Sequence, residues 1–201
     1  MKENNKESPI RIFSDADRKE LERLGLVIYK LKGKSIEELA RDGIISSIWQ
    51  NNEPSLLKLT SRSTEVAINP QKLYIPDSGG KTLAEHIRML SQYKKEIAEQ
   101  AYIPDASVII GGAPDYIELA HEHFKATGKR LFGKPYEYRF TTSTTTDDSW
   151  IVIVGQFTDK GLELDQILKD KSYTGVWNVP LIVPYNPFGI EAMISNAMNP
   201  N

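Results

Sequence analysis

Two hydrophobic periods take turns along the chain, and the places where one gives way to the other mark the expected elements. Ser14 stands where a helix N-cap belongs, with Asp17 three residues on and Leu21, Leu24, Ile28 and Leu31 following at helical spacing. This predicts an N-terminal helical segment running toward Leu31, with Gly25 as the place where it can break. Ser35-Ile36-Glu37-Glu38 is a capping box opening a short helix that stops at Gly43. From 55 to 75 the texture changes: Leu56, Leu57, Leu59, Val66, Ile68, Leu73 and Ile75 sit in short runs among polar residues, which predicts strands interrupted at Asn69-Pro70.

A second capping box, Thr82-Leu83-Ala84-Glu85, opens a helix with Leu83, Ile87, Leu90 and Ile97 on one side and Lys94, Lys95 and Glu99 largely off it. Residues 107–110 form a short buried-type strand running into Gly111-Gly112-Ala113-Pro114, and a helix from about Asp115 to Thr127 follows, ended by Gly128. Tyr136, Tyr138 and Phe140 alternate with Glu137 and Arg139, the pattern of a strand with one wet face. Trp150-Ile151-Val152-Ile153-Val154 is apolar in both registers and predicts a central strand buried on two faces. A short helix is expected over 162–169 and a last strand over 176–183, which Pro180 would confine to an edge or a bulge.

Beyond the last strand, Ile190, Met193, Ile194 and Ala197 fall on one helical face and predict a short C-terminal helix. The fold class expected is α+β: a mixed β-sheet with packed helices, an N-terminal helical segment and a short C-terminal helix. The expected organisation is a polar, disordered tail over 1–12, one globular domain over 13–185, and an amphipathic segment over 186–201. Tyr-Ile-Pro-Asp occurs at 74–77 and again at 102–105, but two short copies do not make a repeat architecture.

Composition narrows the function classes. The 201 residues carry 25 basic and 27 acidic side chains, a formal charge of −2, with the signs interspersed. That balance supplies no basic field, so nucleic-acid binding is disfavoured. Cysteine is absent, which removes thiol nucleophiles, thiolate metal sites and disulfides together. The polar N-terminus lacks the apolar core of a signal peptide, and no apolar run is long enough for a bilayer, so a soluble cytoplasmic protein is expected.

Two turns are candidate ligand sites. Asp77-Ser78-Gly79-Gly80-Lys81-Thr82 precedes a helix whose free N–H groups favour anions, with Lys81 adding charge. It is not a P-loop, because the position five residues before the second glycine is Ile75. Gly111, Gly112 and Asp115 follow a buried strand, where open α/β sheets place ligands, although Asp115 itself occupies the positive helix end. Gly79, Gly80, Lys81, Thr82, Gly111, Gly112 and Asp115 are therefore the candidate binding residues.

Other constellations are incomplete. Glu118-Leu119-Ala120-His121 has the spacing of a di-iron bundle helix, but the matching sets on other helices are missing, and His121 and His123 project about 200° apart. No metal site is expected, and no cofactor can be named. Phe140-Thr141-Thr142-Ser143-Thr144 resembles, over a handful of residues, the aromatic–Ser–Thr–Ser strand of ADP-ribosyltransferases, with Arg62 and Glu163 in the order of that family's Arg and Glu. Glu163-Leu164-Asp165 departs from the family's acidic pair, and Thr is simply a good strand residue. The resulting expectation is a non-catalytic binding or interaction protein with a small-molecule or protein partner. The alternative is an enzyme or regulator handling a phosphorylated small molecule at a glycine-bearing turn, and self-association through Ile190, Met193 and Ile194 is a further option.

Overall fold

The computed structural model describes residues 10–48, 54–133, 138–145 and 148–184. Helix α1 spans Asp15–Arg23, and its Ser14 cap accepts a hydrogen bond from the Asp17 amide at 3.1 Å. The chain then breaks at Gly25 with φ of +75° and enters strand β1, Val27–Lys32. Ile28 and Leu31, expected on the helix, are therefore strand residues. Three residues apart, they lie on opposite faces of the strand: Leu31 is buried with Tyr29 while Lys30 and Lys32 are exposed, and half-buried Ile28 packs on the other side.

Both capping boxes form as expected. Ser35 opens α2, Ile36–Arg41, and Thr82 opens α4, Leu83–Gln100. Between them come β2, Ile45–Ile48, a single helical turn α3, Pro54–Leu57, and β3, Ser63–Ile68. Leu56 and Leu57 thus lie in a helical turn that Pro54 starts, not in a strand. Residues 72–75 are not a strand either. The Asn69 side chain accepts from the Gln71 and Lys72 amides at 3.0 and 3.1 Å, folding the chain into a turn.

After α4 come β4, Ala106–Ile110, and α5, Ala113–Thr127, which ends at Gly128 in the left-handed region with φ of +67°. The rest is β5, Tyr138–Arg139; β6, Trp150–Thr158; β7, Gly161–Leu168; β8, Val176–Trp177; and β9, Pro180–Pro184. The helix expected over 162–169 is strand β7. Leu162 and Leu164 are buried on either side of half-buried Glu163, and the strand turns back on β6 through a hairpin that pairs Thr158 with Gly161.

Among the described residues the strands form two sheets. One is fully antiparallel, in the order β1-β3-β9-β4. The other is mixed, in the order β2-β7-β6-β5-β8, with β2 parallel to β7 and β5 parallel to β8. Strand β9 is internal, which corrects the edge position expected from Pro180. Its two prolines stand at its first and last residues, opposite Ile110 and Ala106, where a missing N–H costs the ladder least.

Strand β6 lies between β7 and β5, in the middle of its sheet. Val152 and Val154 pack into a core with Tyr116, Ile117 and Ala120 of α5, whereas Ile151 and Ile153 pack into a second core with Leu90 and Ile97 of α4. Trp150, at the strand's start, is only half-buried. The first sheet divides in the same way: Val66 and Ile68 face the α5 core and Ala67 the α4 core. The sheets are thus a middle layer with α5 on one side and α4 on the other. No helix among the described residues is long and apolar enough to cross a membrane. The expected C-terminal helix over 190–198 lies outside the described residues.

Candidate functional site

The turn between β4 and α5 is closed by the protein's own groups. The Gly111 amide donates to the Tyr116 hydroxyl at 2.9 Å, and that hydroxyl donates to the Val179 carbonyl at 2.7 Å. Burial pushes the Tyr116 phenol above its ordinary pKa. The Gly112 amide donates to the Asp115 carboxylate at 2.8 Å and the Ala113 amide to Ser143 Oγ at 2.8 Å. Asp115, 2 % exposed, also accepts from the Arg62 amide at 2.7 Å and forms an ion pair with the Arg62 guanidinium. One turn further along α5, fully buried Glu118 accepts from the Lys32 amide at 3.0 Å and from the Ser61 hydroxyl. The two carboxylates tie α5 to the end of β1 and the approach to β3. The Asp115 carboxylate thus sits where an incoming phosphate would be held.

The turn before α4 is also packed and bonded. A Cβ on Gly79 would stand 2.7 Å from the Trp177 ring, and the Gly80 amide donates to the Tyr173 carbonyl at 3.1 Å with φ at +72°. Thr82 is engaged as the α4 cap, its amide donating to Glu85 at 2.8 Å, a bond that lowers the Glu85 pKa. Lys81 is half-buried beside it. Residues 140–143 run from one glycine turn to the other. The Phe140 amide donates to Trp177 and the Thr142 amide to Gly111, each at 2.9 Å. Of the ADP-ribosyltransferase-like elements, Arg62 is paired with Asp115, and Glu163 lies on β7, where its Cβ would be 3.0 Å from a Cβ on Gly155.

Sequence reasoning missed three buried polar residues. His86, in the first turn of α4, is wholly buried and stacked on Phe140 at 4.4 Å, and neither ring nitrogen has a hydrogen-bond partner. Burial lowers its pKa to about 4. Asn178 donates from its side chain to the His86 carbonyl at 3.1 Å. Arg139 is wholly buried, with its guanidinium 4.4 Å from the Phe132 ring centroid, and donates to Tyr74 Oη at 2.6 Å and the Gly155 carbonyl at 2.6 Å. Burial lowers the Arg139 pKa. His123 does not face His121; its Nδ1 is 2.6 Å from the Tyr29 hydroxyl.

Beside α4 the described residues leave a concave surface open. A groove of about 590 Å³ lies between α4 and the turns at 24–26 and 69–76. Leu24, Leu26, Ile75, Met89, Tyr93 and Ile97 supply apolar lining, and Asn69, Lys72, Gln92, Glu96 and Gln100 supply polar groups. Residues 89, 93, 96, 97 and 100 recur at three- and four-residue intervals, so one stripe of α4 forms a whole wall. Partial burial raises the Tyr93 pKa. A smaller hollow of about 320 Å³, which shares Lys72 and Tyr74 with the groove, is also lined by Arg130 and Leu131. The sequence carried a sign of the groove in Met89 and Tyr93, which widen the apolar face of α4 beyond Leu83, Ile87, Leu90 and Ile97. Compared with protein-family models, curated proteins and solved structures, the chain matches none of them.

Proposed function

We propose that this is a binding protein whose α4 groove takes an amphipathic helical segment of a protein partner. The observation that carries the reading is a largely apolar groove of about 590 Å³, within the range of ligand sites. An apolar stripe on a helical ligand would meet Leu26, Met89, Tyr93 and Ile97, and Lys72 and Glu96 would pair with its charged flanks. Met89 suits a surface that adapts to its ligand. The cytoplasm is the proposed setting, in keeping with the absence of cysteine. The alternative, a phosphorylated small molecule at residues 79–82 or 111–115, is less supported because the Gly80, Gly111 and Gly112 amides already have internal acceptors.

The test is a titration of the full chain, labelled on its methionine methyls, with a model amphipathic helical peptide. The Met89 methyl signal should shift saturably, and Tyr93→Asp should abolish the shift while leaving the fold intact by circular dichroism. A Met89 signal that stays fixed with every such peptide at millimolar concentration would refute the reading.

A further inference from the structure

We propose that the chain's own C-terminal segment, residues 190–198, lies in the α4 groove in cis and competes with the partner for it. This rests on the groove being the binding site. Strand β9 ends at Pro184, paired with Ala106 at the start of β4. Residues 101–105 join Ala106 directly to Gln100, a groove residue at the end of α4, through a turn closed by the Ala106 amide on the Ile103 carbonyl. The described chain therefore ends at the side of the sheet where α4 also ends. The six steps from Pro184 to Ile190 span up to about 20 Å, as many steps as separate Ala106 from Gln100 at the groove.

The chemistry of the segment matches the groove. Ile190, Met193, Ile194 and Ala197 have the sequence spacing of one helical face, and Glu191 is the single charged residue of 186–201. Lys72, exposed at the groove, offers that carboxylate an opposite charge. Along the path stands Tyr102, 83 % exposed, an aromatic surface that Phe188 of the linker can cover. A helix this short is marginal alone in water and is stabilised only by docking. Tethering raises its effective concentration to the millimolar range, so a contact too weak to hold between separate molecules is populated within one chain.

The chain contains no cysteine, so a designed pair reports without background. Full-length protein carrying Met89→Cys and Met193→Cys is oxidised and compared with an Ala98→Cys and Met193→Cys pair. Ala98 is exposed on α4 and does not line the groove. The expected result is a disulfide within one chain at monomeric mass for the groove pair, formed well ahead of the control. Disulfide-linked dimers, equal rates for the two pairs, or no disulfide would each overturn docking in cis. Separately, Ile190→Asp with Ile194→Asp in the full chain should raise the groove's affinity for the model peptide about tenfold or more. If the cross-link fails while the peptide still shifts Met89, only the cis occupant falls. If the cross-link forms and no peptide ever binds, the partner reading falls instead.

Discussion

Helices α4 and α5 cover opposite faces of the same sheet layer, yet they treat their polar residues in opposite ways. On α5, Asp115 and Glu118 are buried, and each accepts hydrogen bonds from a different part of the chain. On α4, Gln92, Glu96 and Gln100 are exposed along a wall whose apolar residues line an open groove. A carboxylate saturated by internal donors is a structural device: it fixes where α5 meets β1 and β3. Half-buried Met89 and Tyr93 beside exposed polar residues are surface still available for contact. The amides of Gly80, Gly111 and Gly112, in the turns that stand out in the sequence, are engaged within the fold, and the open groove lies beside the plainer helix.

The largest expected effect breaks the α5 side. Asp115→Ala leaves the Arg62 and Gly112 amides and a partly buried guanidinium without their acceptor, and should cost about 3–5 kcal/mol in denaturant unfolding. Glu96→Ala on the exposed side of α4 should change stability by less than about 0.5 kcal/mol. Equal effects would erase the contrast between the two helices.

The next effect concerns His86, the polar group on α4 that is buried like those on α5. Its folded pKa of about 4 lies below the ordinary 6.5, so between those values the unfolded chain binds the extra proton. The stability it contributes is full above pH 6.5 and is lost as pH falls through about 4, a change of roughly 3 kcal/mol. His86→Leu should flatten this part of the stability–pH curve measured by urea melts, while changing stability at pH 7 by only about 1 kcal/mol. An unchanged slope would mean that other groups carry the acid sensitivity. Smaller again is Gly79→Ala, whose new methyl meets the Trp177 ring at 2.7 Å and should cost about 1–3 kcal/mol by thermal unfolding.

Much of the fold was legible where the signal is local. The capping boxes at Ser35 and Thr82, the strand into Gly111 and the doubly apolar run of β6 each settle within a few residues. What escaped depends on distance. Nothing near Leu162 announces that it pairs with Phe157 across a hairpin, and Pro180 gives no hint that it opens an internal strand. The candidate site was hidden for the same reason. Gly112 and Asp115 are visible as a helix start, but the partner that occupies the rest of the Asp115 carboxylate is Arg62, 53 residues away. The groove is assembled from three separated segments, of which only the α4 stripe has a period.

A substitution with a small expected stability effect is the most informative about function. Met89→Gln places a polar group at a half-buried groove position and should cost less than about 1 kcal/mol, well below Asp115→Ala. It should nonetheless weaken capture of an amphipathic peptide about tenfold or more, since apolar burial at the groove is what binds. The direct measurement is the affinity of that peptide for wild type, Met89→Gln and Gly112→Val, read by calorimetry on samples verified as folded. Binding lost in Met89→Gln and kept in Gly112→Val is the result expected if the α4 groove is the functional surface. Binding kept in Met89→Gln and lost in Gly112→Val would contradict it and return function to the glycine turn.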